Sequence, residues 1–146
     1  MRLTLAWIGK SKDSASGTLT AEYLKRLQRY VSTEGKELNA EAAVLKLVSR
    51  PGRTAPVLVL LDSRGKQLSS EELAELVRDH RDRSTQELIF AIGPADGWSE
   101  PARKRADVLL SLGKMTLPHE LARVVLAEQL YRAFTILAGH PYHSGH

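Results

Sequence analysis

Hydrophobic positions along the chain fall into short continuous runs that alternate with longer segments of helical spacing. A continuous apolar run of about six residues is typical of a strand buried on both faces, as in parallel sheets. Turn-forming residues follow such runs, for example the Ser-Arg-Gly-Lys sequence after Asp62. The strands predicted in this way are residues 3–8, 57–62, 87–93 and 107–112.

The segments between these runs predict helices. Apolar residues recur at helical spacing in the first segment, and Ser69 and Glu72 have capping-box spacing at the start of the second. Pro101 suits the first turn of a third helix, where its missing N–H has no partner to lose. The predicted helices are residues 18–31, 69–80, 99–106 and 119–138. Residues 35–55 are consistent with a short strand followed by a short helix.

The last predicted helix, residues 119–138, is apolar on nearly every side, which is typical of a buried helix rather than a surface one. It nevertheless retains charged side chains. Glu128 and Arg132 are four residues apart, and Glu120 and Arg123 are three apart. The two side chains of each pair can therefore form an ion pair within the helix. Alternatively, Arg123 or Arg132 lies at a dimer seam or binds an RNA phosphate.

The alternation of strands and helices predicts an α/β fold: a mostly parallel sheet with helices on both faces. The length of 146 residues suits one compact domain, so we expect residues 1–146 to form a single unit. Ligands of such sheets bind at the carboxyl ends of the strands. The loops expected there begin at Leu61, at Gly93 and at Leu112.

The chemistry of these loops does not match a polyphosphate site, because neither a dinucleotide-binding glycine pattern nor a phosphate-loop lysine pattern is present. The third loop carries Leu112, Met115 and Leu117, and its polar groups are chiefly backbone amides and carbonyls. Such a lining suits an adenine ring and a thioether-like chain. The alternative is a glycine-containing turn that only packs on the core.

Composition narrows the function classes further. The chain has no cysteine, which excludes disulfides, thiolate chemistry and cysteine-based metal sites, and we expect no metal. The apolar runs are too short for a signal peptide or a membrane span, so a cytoplasmic protein without membrane contact is expected.

The positive charge is concentrated at one end of the chain. Residues 1–50 contain nine Lys and Arg against five Asp and Glu, whereas the rest of the chain is balanced. This surplus indicates a polyanion partner such as RNA, although it is also ordinary for a soluble protein. The candidate phosphate contacts are Lys10, Lys12, Lys25, Arg26 and Arg29.

Two sequence blocks carry a family resemblance. "AIGPADGWS" and "LLSLGKMTLPHELARVVLAEQLYRAFTILAGHPYH" closely resemble the ribosomal RNA large subunit methyltransferase H family, which belongs to the SPOUT superfamily of methyltransferases. "LTLAWIGK" at the start of the chain and "LLDSRGK" at residues 60–66 match in the same order. The resemblance spans nearly the whole chain and is weakest around residues 35–55.

The resemblance implies an activity and an unusual topology. Members of this family use S-adenosylmethionine to methylate N3 of a pseudouridine in large-subunit rRNA, acting on the assembled ribosome as homodimers. Their C-terminal segment passes through a loop to form a trefoil knot, an exception to the rule against threading. The last helix would then be covered partly by the knot and partly by the second protomer.

The resemblance also implies which residues bind the cofactor. They are Leu61, Gly93, Leu112, Gly113, Lys114, Met115, Thr116 and Leu117. At the second loop the family usually has Ile-Gly-Gly, where this chain has Ile92, Gly93 and Pro94. Proline has no N–H to donate, so we expect weaker cofactor binding if the family's second glycine donates a backbone hydrogen bond.

The carboxyl-terminal tail carries the candidate catalytic residues. N3 of pseudouridine is an imide nitrogen that must lose a proton, so a general base or a group that stabilises the anion assists the reaction. The tail sequence His-Pro-Tyr-His supplies His140, Tyr142 and His143. We expect Tyr142 and His143 to reach the target base, with His143 as the general base and His119 as a second candidate.

Two other functions fit the sequence. A family member would either act on another RNA or, weakened at Pro94, bind the ribosome without catalysis. Alternatively, an α/β module would bind a small adenine ligand with no RNA role. Trp98 also has two interpretations, because a loop tryptophan either stacks on a nucleic-acid base or covers the edge of the core.

Overall fold

The computed structural model describes residues 1–49 and 55–143. Five strands and five helices alternate along this part of the chain, and a short 3-10 helix follows them. The strands are β1 (Arg2–Ile8), β2 (Ser32–Leu38), β3 (Val57–Gln67), β4 (Glu87–Ile92) and β5 (Val108–Ser111). The helices are α1 (Ser14–Leu27), α2 (Glu41–Leu47), α3 (Ser70–Asp82), α4 (Glu100–Arg105), α5 (His119–Ala138) and the 3-10 helix Pro141–His143.

The strands form one parallel sheet in the order β2-β1-β4-β3-β5. Every residue of the central strand β4 is buried, which explains why its apolar run lacks polar alternation. Side chains of α1, α3 and α5 share one core cluster, and those of α2 and α4 share another with the loop residue Trp98. The predicted parallel sheet with helices on both faces is therefore confirmed.

The first helix differs from its prediction at both ends. It begins at Ser14, four residues early, because the Asp13 side chain caps it by accepting the N–H of Ser16. Gly17 suggested a loop but lies inside the helix and donates its N–H to the Asp13 carbonyl. The helix ends at Leu27, and β2 begins at Ser32. The short strand and short helix expected within residues 35–55 correspond to β2 and α2, while residues 50–54 lie outside the described part.

Strand β3 continues beyond the predicted end at residue 62. Leu61 and Lys66 both lie opposite Leu110 of β5, so the residues between them form a bulge before the pairing resumes. A Cβ atom on Gly65 would lie 2.5 Å from the carbonyl carbon of Leu109, so only glycine permits this approach. The Ser-Arg-Gly sequence typical of a turn is here the bulge itself.

Helix α5 packs between α1 and α3, which explains its apolar character. Leu126, Ala127 and Leu130 are fully buried. The expected ion pair between Glu128 and Arg132 is present at 2.8 Å. No helix in the described residues has the length and hydrophobicity required to cross a bilayer.

Candidate functional site

A cleft of about 790 Å³ opens at the carboxyl ends of β3, β4 and β5. The end of β3, the loops after β4 and β5, and the first turn of α5 form its walls. All eight residues expected to bind the cofactor line it, together with Pro94, Trp98 and His119. The parallel sheet therefore brings the carboxyl-terminal half of β3 together with the loops after β4 and β5, although these segments are far apart in sequence.

One wall of the cleft is built on the buried indole of Trp98. Its side chain is 4% exposed, and its Nε1–H donates to the Leu61 carbonyl at 2.9 Å. A Cβ atom on Gly93 would lie 2.8 Å from the indole Cε2 atom. Trp98 therefore covers the core edge and does not present its ring to a nucleic-acid base. It also ties β3 to the loop after β4.

An ion pair that sequence analysis missed supports the same wall. The Asp62 side chain is only 6% exposed, and its Oδ2 lies 3.6 Å from Nη1 of Arg103. Arg103 also donates to the Trp98 carbonyl, and the Asp62 Oδ1 accepts the N–H of Arg64 at 2.8 Å. The separation of Asp62 and Arg103 along the chain gives no local pattern from which this pairing could have been predicted.

The loop after β5 is closed by a serine. The Ser111 hydroxyl accepts the N–H of Gly113 at 3.2 Å and donates to the Gly113 carbonyl at 2.9 Å. Gly113 has φ of +142°, a conformation that favours glycine. Both the N–H and the carbonyl of Gly113 are therefore hydrogen-bonded within the loop. Beyond it Met115 is 86% exposed, so this wall presents an apolar side chain at the rim of the cleft.

The loop after β4 keeps a defined shape despite its proline. The Pro94 carbonyl accepts the N–H of Gly97 at 2.9 Å, and Gly97 has φ of +85°. These features form a tight turn that places Pro94 on the cleft wall. The wall is therefore intact, although it lacks one backbone donor.

The tail residue Tyr142 is held against the middle of α5. Its hydroxyl donates to Oε2 of Glu128 at 2.9 Å, and its ring packs edge-on against Tyr131 with 4.8 Å between centroids. The Arg132 guanidinium lies over the same ring at 5.1 Å. Burial, followed by hydrogen bonds with Tyr23 and Glu128, raises the pKa of Tyr142. Tyr142 thus keeps its proton at neutral pH.

Tyr142 and the cleft are separated within one chain. Glu128, its hydrogen-bond partner, lies six residues after Ala122 of the cleft wall, which corresponds to about 9 Å along the helix. None of the described residues that line the cleft comes from residues 139–143. The structure therefore brings together the cofactor candidates and His119 but holds Tyr142 elsewhere. The side chain of His143 lies outside the described part.

Comparison with known proteins assigns the family. A family model described as "Predicted SPOUT methyltransferase" matches residues 1–143. The chain belongs to the SPOUT methyltransferase family. The knot of this family stays a prediction here, whereas the parallel α/β fold is observed.

Several curated relatives share one name. The chain is 67% identical over its full length to the full-length "Ribosomal RNA large subunit methyltransferase H" of Koribacter versatilis (strain Ellin345). A protein of the same name from Geobacter sp. (strain M21) is 43% identical, with 98% of this chain and 99% of that protein covered.

Two solved structures have a similar fold at low sequence identity. A probable methylase family protein from Haemophilus influenzae Rd KW20 matches with a TM-score of 0.58 and 10% identity, covering 96% of this chain and 67% of that one. The SpoU methyltransferase AviRb from Streptomyces viridochromogenes, in complex with AdoMet, matches with a TM-score of 0.50 and 12% identity, covering 88% and 56%.

Proposed function

We propose that this chain transfers the methyl group of S-adenosylmethionine to N3 of a pseudouridine in large-subunit rRNA. The observation that carries the proposal is the convergence of β3 and the loops after β4 and β5 on one cleft, in a chain that is 67% identical to a protein named as an rRNA methyltransferase. All eight candidate cofactor residues contribute to that cleft. Ribosomes in the cytoplasm would be its substrate.

The cleft suits an adenosyl cofactor in size and chemistry. Its volume of about 790 Å³ is within the ordinary range for small-molecule sites. Leu61, Leu112 and Leu117 offer apolar surface for an adenine ring, while backbone groups of residues 114–117 supply polar contacts. When bound, S-adenosylmethionine supplies an electrophilic methyl group. The main task of these residues is to hold the reacting groups in line.

We assign removal of the N3 proton to the carboxyl-terminal tail. The raised pKa of Tyr142 and its donation to Glu128 make it an anchor that positions the tail rather than a base. His143 is the next residue, and an unperturbed imidazole accepts a proton near neutral pH. We therefore assign the general-base role to His143, with Tyr142 placing it.

A homodimer brings the tail to a cleft. Because Tyr142 is docked on Glu128, about 9 Å along α5 from the cleft of its own chain, the tail of one protomer would complete the cleft of its partner. Exposed large apolar side chains, Leu19 on α1, Met115 on the cleft rim and Leu121 on α5, offer surface that a second protomer would cover.

The two non-catalytic alternatives have less support. The wall containing Pro94 keeps its turn, so the proline removes one donor without closing the cleft. A module that binds adenine without RNA would not account for the full-length similarity to proteins named as rRNA methyltransferases.

The proposal is tested by incubating the protein with ribosomes that lack the modification and with methyl-labelled S-adenosylmethionine. We expect label in large-subunit rRNA. His143→Ala should abolish the transfer while leaving the cofactor dissociation constant unchanged, and His140→Ala serves as the matched tail control. Normal transfer by His143→Ala would overturn the base assignment, and no transfer by the unmodified protein would overturn the proposed function.

A further inference from the structure

The first turn of α5 holds the loop between β1 and α1, residues 9–13, which we call the β1–α1 loop. Oε1 of Glu120 accepts the backbone N–H of Lys12 at 2.9 Å and of Asp13 at 3.2 Å. These donors, with smaller contributions from Arg123 and His119, lower the pKa of Glu120. The carboxylate is thus charged at neutral pH and bonded to the backbone of this loop.

Arg123 contacts the same loop from its buried side. Its side chain is only 1% exposed, Nη1 donates to Oγ of Ser11 at 2.6 Å, and its guanidinium lies 4.3 Å from the ring centroid of Trp7. Within the described residues, its Nε and Nη2 have no hydrogen-bond partner. Burying a guanidinium with two unbonded groups is costly, and the cation–π contact with Trp7 offsets part of that cost. The hydrogen bond that Arg123 does make holds Ser11 of the β1–α1 loop.

The opposite side of the loop is also fixed. The N–H of Ser11 donates to Oε1 of Glu37 at 3.3 Å, and Asp13 caps α1. Lys10 and Lys12 remain exposed on this braced loop. Because the backbone of Lys12 is bonded to Glu120, which lies between His119 and Ala122 of the cleft wall, the loop that carries the two lysines adjoins that wall.

The other candidate phosphate contacts are placed differently. Arg26 pairs with Glu22 at 3.0 Å and lies over the ring of Tyr23, so its guanidinium is engaged. Lys25 and Arg29 are exposed, but Lys25 lies in the last turn of α1, about 18 Å from Asp13 along the helix, and Arg29 lies just beyond the end of that helix. The basic surplus of the N-terminal third therefore divides into a part beside the cleft of its own chain and a part at the other end of α1.

We propose that the β1–α1 loop binds the RNA backbone beside the modified nucleotide, with Lys10 and Lys12 contacting phosphates and Glu120 and Arg123 positioning the loop. This inference rests on the proposed function and specifies the surface that receives the RNA. Rigid presentation reduces the entropy lost when the lysines engage phosphates, so each contact contributes more to binding. Lysine contacts of this kind supply affinity without reading sequence.

The test compares Lys10→Ala/Lys12→Ala with Lys25→Ala/Arg29→Ala, which removes the same charge. The KM for ribosomes, kcat and the salt dependence of KM are measured for both. Loss of two phosphate contacts at 0.1 M salt should raise KM roughly 25- to 60-fold and reduce the salt slope by about two. We expect this for the first variant only, with kcat and cofactor affinity unchanged.

The positioning role is tested by Glu120→Gln and Arg123→Lys. Glu120→Gln should raise KM without changing kcat, and Arg123→Lys should retain more ribosome affinity than Arg123→Met because it preserves the charge and one donor to Ser11. An unchanged KM and salt slope in the Lys10→Ala/Lys12→Ala enzyme would overturn this inference while leaving the proposed function intact. Equal effects in both double variants would also overturn it, since charge alone would then explain the binding.

Discussion

Replacing Gly93 with alanine tests how the cleft wall is built. The added Cβ would lie 2.8 Å from Cε2, 3.0 Å from Nε1 and 3.1 Å from Cδ2 of the Trp98 indole. Carbon atoms pack favourably only at about 3.5–4.0 Å, so the ring must move. The ring is buried and bonded to the Leu61 carbonyl, so its movement also lengthens that hydrogen bond.

The expected cost follows from these contacts. Overpacking a filled core costs about 1–3 kcal/mol, which lowers Tm by about 2–4 °C for each kcal/mol in a domain of this size. Gly93 is not among the glycines with positive φ, so its backbone accepts alanine without strain. Gly→Ala at such a position otherwise stabilises a protein by about 0.4–1 kcal/mol. The clash with Trp98 is therefore the only source of the predicted loss.

A double-mutant cycle isolates this clash. Chemical denaturation of the parent, Gly93→Ala, Trp98→Ala and the double variant gives four free energies of unfolding. Gly93→Ala should destabilise the parent but be neutral or slightly stabilising in the Trp98→Ala background. Cofactor affinity, measured by calorimetry, should fall with Gly93→Ala. An equal cost of Gly93→Ala in both backgrounds would refute the reasoning.

Three further predictions concern the tail, the loop brace and the proline. Tyr142→Phe removes a hydrogen bond to the charged Glu128, so kcat should fall roughly 10- to 100-fold with cofactor affinity unchanged; unchanged kcat would contradict the anchor role. The pKa of Glu120 is lower in the folded protein than in the unfolded protein. Its carboxylate therefore stabilises the fold at pH values above the unfolded-state pKa, and this stabilisation is lost as the pH falls through the folded-state pKa. Denaturation curves should therefore show Glu120→Gln less stable than the parent at pH 7 and equally stable at about pH 2. Pro94→Gly restores a backbone donor and should tighten cofactor binding roughly 2- to 10-fold by calorimetry; weaker binding would contradict this.

Much of the fold could be predicted from local sequence patterns. The buried run at residues 87–93 became the central strand, and the capping-box pair Ser69 and Glu72 marks the start of α3. The predictions were wrong where residues typical of a loop or turn lie within a helix or strand. Gly17 lies within a helix because Asp13 caps the chain before it, and the turn-like residues 62–65 form a bulge in β3.

The contacts that shape the site could not be predicted in this way. The hydrogen bond of Trp98 to Leu61 joins residues 37 positions apart, and that of Arg123 to Ser11 joins residues 112 positions apart. Neither has a periodic signature, because each depends on how distant strands align in the sheet. Arg123 was expected to pair with Glu120 on the helix. Their charges do interact, but their hydrogen bonds go to the β1–α1 loop.

The central claim is methylation of pseudouridine at N3, and the location of the methyl group in the product tests it most directly. Ribosomes lacking the modification are methylated, their large-subunit rRNA is digested to nucleosides, and the products are identified by mass spectrometry against ribosomes with uridine at the same position. We predict N3-methylpseudouridine from the first substrate and no newly methylated nucleoside from the second. Equal methylation of both substrates, or a methyl group on another atom, would contradict the account.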